Sequence, residues 1–333
     1  MDKRTGNILK YTLAALTATF LLWFSFRGVQ WGDFTEGLKK CNWFFVAASL
    51  LIGAVAFWVR AVRWRELLLP IDPSVRRLTA LNAINISYVV NMVIPRGGEL
   101  ARCAIVTRHS AKDKDGKRLA SFDKVLGTVI LDRVWDTIVM LFILAAVLFA
   151  FRQIWGDFFQ ERVKNVNFSS TYAILGVLVF IVLLLTCCYF LKDKNRFFGK
   201  IWGFVYGIID GARQSLKMKK WWKFLGCTLL LWTCYWATSY AIVFALSDAF
   251  PAFGALGPLD VVFLMAVGSI ASVIPVPGGF GAYHYLISTA LVAVYGMAPE
   301  QGILFAVLSH ESQTVIQLIC GAASYACETF IKS

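Results

Sequence analysis

Val273–Gly281 reads VIPVPGGFG, two prolines and three glycines within nine residues, and it lies inside the apolar run 258–296. Proline removes a backbone donor and stops the helix before it, while glycine opens positive φ and weakens helical order. The stretch therefore breaks a helix, and composition places the break in a membrane. Hydrophobic residues make up 58% of the chain, and charged residues only 16%, against about a quarter in ordinary globular domains. Mean hydropathy is +0.65. The apolar runs have the ~20-residue length of membrane helices, not the ~10-residue alternation of barrel strands. The chain reads as an all-α polytopic membrane protein, a single transmembrane domain over residues 1–333.

Outward from this stretch, spans are expected at roughly 9–27, 42–60, 120–151, 171–191, 222–247 and 300–331. Two broken segments, 78–108 and 258–296, complete a set of about six full spans plus two broken or re-entrant helical hairpins. The first run follows a basic start, but nothing after Arg27 resembles a small-residue cleavage site, so it reads as a retained span. The N-terminus, the 60–77 loop (Arg60, Arg63, Arg65, Arg76, Arg77), the 108–118 loop and 192–223 carry 22 of the 33 cations. By the positive-inside rule these ends are cytoplasmic, and the cation-poor 28–42, 152–168 and 247–260 face outward. Both termini are then cytoplasmic, in a plasma membrane. This distribution explains the formal charge of +13 as topology and excludes a nucleic-acid partner.

On this topology 78–108 begins and ends inside, and 258–296 begins and ends outside. The halves 1–151 and 171–333 then run in opposite senses, as an inverted repeat. Local sequence agrees: Ile94-Pro95-Arg96-Gly97-Gly98-Glu99 resembles Ile274-Pro275-Val276-Pro277-Gly278-Gly279, offset by 180 residues at Ile-Pro and 181 at Gly-Gly. Asp132-Arg133 and His310-Glu311 recur at an offset of 178 in the helices that follow. Inverted repeats with broken helices are a transporter architecture.

Non-helical backbone at membrane depth is tolerated only inside protein or against water, and a helix starting after each break aims N–H groups and positive dipole at that point. Such a site suits an anion such as phosphate. Intramembrane charges are costly and mark function or pairing. Arg96, Arg102 and Arg133 are candidates to receive a phosphate; Asp132, Asp136 and Glu311 balance those charges or relay a proton; Glu99 follows the first break, His284 follows the second, and His310 sits in the last span. Asp132 and Asp136 share one helical face. The alternative is that these groups pair across the bundle to fix its packing. Pro95, Pro275 and Pro277 are the helix breaks, and Gly97, Gly98, Gly278 and Gly279 the close-approach positions.

Other features point to structure. The cysteines lie in or beside apolar runs without metal-ligand spacing, and the tryptophans fall near span ends as interfacial belts. The amphipathic stretch 197–211, followed by a basic, Trp-rich edge, suits an interfacial helix. No Walker loop, dinucleotide fingerprint or HExxH motif occurs, so no cofactor or metal is expected.

The motifs PRGGELAR (95–102), LDRVWD (131–136) and PVPGGFGAYH (275–284), together with the hydropathy pattern, resemble the lysylphosphatidylglycerol synthase transmembrane family, also called flippase-like or UPF0104. The resemblance implies lipid or lipid-linked sugar handling, and implicates Pro95, Arg96, Gly97, Glu99, Arg102, Asp132, Arg133, Asp136, Pro277, Gly278, Gly279 and Gly281. Many members carry an acidic residue where this chain has Tyr283-His284-Tyr285, and the aminoacyl-transferring domain of the bifunctional members is absent, which argues against lysyl transfer. The leading expectation is a flippase or transporter whose partner is a membrane phospholipid or lipid-linked substrate. The rivals are a membrane-embedded transferase on lipid phosphate or lipid-linked sugar, and a non-catalytic partner of a lipid-modifying enzyme.

Overall fold

The computed structural model describes residues 16, 19–150, 196–271, 274 and 276–330. The expected span 171–191, the loop 152–168, most of the first span, and Pro275 lie outside the described residues. Within them the protein is helical, without strands; an isolated bridge joins Lys112 and Arg118 in one loop.

Ten principal helices follow one another: α1 (Trp31–Lys40), α2 (Trp43–Leu68), α3 (Arg77–Val93), α4 (Gly97–His109), α5 (Phe122–Ala150), α6 (Arg196–Ser215), α7 (Trp221–Ser247), α8 (Pro258–Ala271), α9 (Ala282–Tyr295) and α10 (Pro299–Phe330). Three of them, α2, α7 and α10, are long and apolar enough to cross a membrane. The broken segments take the expected form. Helix α3 ends at Val93 and α4 starts at Gly97, the two packed as a hairpin; α8 and α9 form the second, with a 3₁₀ turn at Pro277–Gly279 between them.

Two apolar cores match the two hairpins. Around α3 and α4, the buried side chains of Trp64, Leu67, Ile84, Val106, Val129 and Phe224 pack together. Around α8 and α9, Leu246, Phe253, Leu264, Leu291 and Phe305 do the same. Burial of each such side chain contributes about 1.5–3 kcal/mol where water is the alternative; inside lipid, close packing matters more. Helix α6, expected at the interface, packs on α5 through glycines: a Cβ at Gly127 would meet the Ile208 carbonyl at 2.1 Å, and one at Gly211 the Lys124 carbonyl at 2.2 Å.

Two expectations need correction. The 28–42 segment, read as an outer loop, contains α1, whose Gly37 lies so close to Phe250 that a Cβ would stand 2.5 Å from its ring. The span expected at 42–60 continues to Leu68, so Arg60, Arg63 and Arg65 are helical residues and not loop cations. Asn42 N–H donates to the Ala245 carbonyl at 2.8 Å, which ties the start of α2 to the end of α7. At the other end Asp72, between α2 and α3, accepts from Ser110 Oγ at 2.6 Å, and His109 Nε2 lies 2.7 Å from Glu328.

Candidate functional site

Arg60 and Arg63 are three residues apart on α2, hence on one face, and Asp132 and Asp136 are four apart on α5. These faces meet. Arg63 Nη2 lies 2.6 Å from Asp132 Oδ1 and 2.6 Å from Asp136 Oδ1, Arg60 Nη2 lies 2.8 Å from Asp136 Oδ2, and Arg102 Nη2 on α4 donates to Asp132 Oδ2 at 3.3 Å. Arg60 also donates to the Tyr235 hydroxyl at 3.0 Å. Arg63, Arg102 and Asp132 are buried, and the guanidinium of Arg102 lies 4.6 Å from the Trp64 ring centre. Three guanidiniums face two carboxylates, an excess of one positive charge, and Arg63 Nε and Nη1 and Arg102 Nε have no hydrogen-bond partner among the described residues.

The first break adjoins this cluster through Glu99 and Arg133, neighbours of Arg102 and Asp132 on their helices. Arg133 Nη2 donates to Glu99 Oε1 at 2.8 Å, with Arg133 47% exposed. Arg96 caps α4 in the left-handed region, φ 60° and ψ 8°, and is the single non-glycine residue with positive φ among the described residues. Such backbone costs roughly 1–2 kcal/mol and marks a functional constraint more often than chance. The Gly98 N–H, expected to face an anion, donates instead to Asn91 Oδ1 at 2.7 Å. Gly98 admits no larger residue, since a Cβ would stand 2.1 Å from the Ser87 carbonyl.

In the second break Gly278 takes φ 60° and ψ 1°, nearly the conformation of Arg96. Each follows a proline, Pro277 and Pro95, so the conformational match runs at an offset of 182 and not at the 180 or 181 of the residue match. A reading by residue type alone misplaces it by one position at Gly-Gly and two at Ile-Pro. His310 on α10 holds this turn, its Nε2 3.0 Å from the Gly278 carbonyl, and Glu311 Oε1 lies 3.0 Å from His310 Nδ1 and 3.4 Å from His284 Nε2.

The third residue of the helix after each break therefore pairs with the next helix: Glu99 of α4 with Arg133, His284 of α9 with Glu311. The two breaks meet, a Cβ on Gly278 standing 3.7 Å from the Met92 Cα. A separate cavity of about 370 Å³ opens at the far end of the first hairpin, among Ser74, Arg76, Thr79 and His109.

The site residues expected from sequence thus fall into a buried cluster with Arg102, Asp132 and Asp136, a first-break group with Arg96, Gly97, Gly98, Glu99 and Arg133, and a second-break group with Gly278, Gly279, His284, His310 and Glu311. Arg60 and Arg63 were missed, although their three-residue spacing on an extended α2 matches the aspartate pair opposite.

Comparison with known sequences decides the family, because residues 7–321, nearly the whole chain, match the lysylphosphatidylglycerol synthase TM region. The chain belongs to that family. The lysylphosphatidylglycerol synthase TM region here is 23% identical over 322 residues to UPF0104 membrane protein PH1989 of Pyrococcus horikoshii, covering 86% of this chain and 87% of that one. It is 22% identical over 315 residues to glycosyltransferase AglD of Haloferax volcanii, covering 84% of this chain but only 48% of AglD, so it spans about half of that relative's length. No solved structure matches. This is a membrane protein with apolar helices.

Proposed function

We propose that this protein binds the phosphate-bearing headgroup of a membrane lipid at the first break and moves it past the second, as a flippase. The observation that carries the reading is the Arg133–Glu99 pair at 2.8 Å: it is partly exposed and adjoins a buried cluster with one excess positive charge and unpartnered guanidinium nitrogens. Glu99 then occupies the position a phosphate would take on Arg133, and an incoming headgroup displaces it. Arg96, at the same helix start, supplies the second cation. Arg102, Asp132, Asp136, Arg60 and Arg63 hold the backbone beneath and set the local potential. The break at Pro277 to Gly281, with His310 on its carbonyl, gates the route.

The inverted repeat belongs to this proposal. It is supported by the shared left-handed residue after Pro95 and Pro277 and by the paired third residues of α4 and α9. The halves 1–151 and 171–333 are its units, within one transmembrane domain. The topology in this reading is supported by the packing of Gly37 against Phe250, from the two cation-poor segments, and by the Asp72–Ser110 and His109–Glu328 contacts among the basic loops and the end of α10. A plasma-membrane protein with both termini cytoplasmic is part of the same proposal and rests on the positive-inside rule.

The name of AglD keeps a second reading in view, transfer on a lipid phosphate or lipid-linked sugar. Proteoliposomes carrying phosphatidylglycerol with a labelled headgroup separate the two. Flipping makes the inner label accessible to an external quencher with lipid mass unchanged, whereas transfer with a sugar donor present changes the mass. Normal translocation by a well-inserted Arg96→Ala/Arg133→Ala protein overturns the anion site.

A further inference from the structure

His284, His310 and Glu311 bring one ligand atom each within 4.8 Å of one another. The chemistry of His310 is decided by its neighbours. Its Nε2 lies 3.0 Å from the Gly278 carbonyl, which can only accept, so Nε2 carries the hydrogen and a neutral ring holds its lone pair on Nδ1. That lone pair faces Glu311 Oε1 at 3.0 Å, a repulsive contact unless a positive species stands between them. His284 turns Nε2 toward the same oxygen at 3.4 Å, too long for a good hydrogen bond, although the ring is only 2% exposed and its Nδ1 has no partner among the described residues. One cation bound by all three atoms satisfies them together.

The geometry points to a divalent transition-metal site, of the zinc class, built from His284 Nε2, His310 Nδ1 and Glu311 Oε1. Zinc bonds of about 2.0–2.1 Å set tetrahedral ligands roughly 3.3 Å apart, close to the two spacings seen here. Two imidazoles and a carboxylate select zinc and its neighbours over magnesium or calcium, which prefer all-oxygen sites. The Gly278 carbonyl is the outer-shell acceptor that fixes the tautomer of a metal-bound histidine. The ring of Phe280, 5.1 Å from that of His310, and the ring of Tyr283, 5.2 Å from it, wall the site, while Glu311, 37% exposed, leaves one side open for a fourth ligand. A proton on His310 is the competing occupant; it satisfies the Glu311 contact but leaves His284 unbound. The metal ties α9 and α10 to the second break, and its binding stands independently of the headgroup reading.

The test uses the full chain in detergent, its purification tag removed and its metal stripped by chelation, titrated with zinc. The expected result is about one zinc per chain, undisturbed by excess magnesium, with affinity at least about tenfold weaker in His310→Ala and Glu311→Gln. Cobalt on the unaltered protein should give the intense visible bands of a four-coordinate ion, displaced by zinc. Substoichiometric zinc, equal binding by both variants, or only the faint spectrum of six-coordinate cobalt overturns the proposal; the cobalt result decides even where a variant fails to fold.

Discussion

Arg63 and Asp132 form a fully buried ion pair, Nη2 to Oδ1 at 2.6 Å, joining two helices whose paired residues are 69 positions apart in the chain. Asp132 is the common partner of Arg63 and Arg102 and lies 3.9 Å from Arg60. Removing its charge leaves three guanidiniums facing Asp136 alone. Asp132→Asn should destabilise the protein by about 3–5 kcal/mol, the usual cost of a broken buried pair. Yield and thermal stability in detergent read this out, and a variant as stable as the parent shows that the cluster does not hold α2, α4 and α5 together.

Arg133 and Glu99 make the contrasting case. The pair is partly exposed at the first break, and with water reaching that break, as the proposed headgroup route requires, its contribution to stability is about 0–1 kcal/mol. Arg133→Ala should therefore insert and melt almost as the parent does, while lipid translocation falls at least about tenfold, the effect of losing roughly 1.4 kcal/mol of headgroup interaction. Glu99→Gln removes the internal competitor and should tighten headgroup binding. Unchanged transport in Arg133→Ala removes this arginine from the site.

Much of this organisation was legible in the residues. Proline followed by glycines marked both breaks, because no helix continues through them. The spacing of Asp132 and Asp136 announced a shared face. The arginines of α2 are not legible: hydropathy falls at Arg60, which marks a span end in sequence, and nothing local reveals that carboxylates on α5 pair with Arg60 and Arg63. Helix α1 was hidden for a related reason, since WGDFTEGLKK has low hydropathy and forms its helix against Phe250 and Leu304. The match between breaks is visible in composition but shifted by one or two residues, because backbone conformation and not residue type defines it.

That shift makes a prediction about the backbone. Arg96 holds φ 60°, where glycine is unstrained, and Gly278 holds the same angle without a side chain. Arg96→Gly should leave stability unchanged or raise it by up to about 1 kcal/mol while weakening headgroup binding. Gly278→Ala should cost about 1–2 kcal/mol, since its Cβ would also stand 2.7 Å from the Phe280 ring. Melting curves of the two variants must move in opposite directions or the first stay still; equal losses contradict the assigned conformations.

Asp72 lies outside the spans, between α2 and α3, where it accepts from Ser74 N–H at 2.9 Å, Ser74 Oγ at 2.6 Å, Ser110 Oγ at 2.6 Å and Ala111 N–H at 2.9 Å. Burial pushes its carboxyl pKa up, but the hydrogen bonds from Ser110, Ser74 and Ala111 outweigh that and hold it below the ordinary value. A depressed folded-state pKa contributes stability that is present above the unfolded value of about 3.9 and is lost as pH falls through the folded one. The parent should therefore lose melting temperature on acidification below about pH 4. Asp72→Asn should be less stable at neutral pH by about 1.5–3 kcal/mol, the worth of hydrogen bonds to a charged group, and its acid limb should be flatter. Parallel melting-temperature curves for the two proteins between neutral and acid pH would show that the charge on Asp72 does not tie the 69–76 turn to the 110–121 loop.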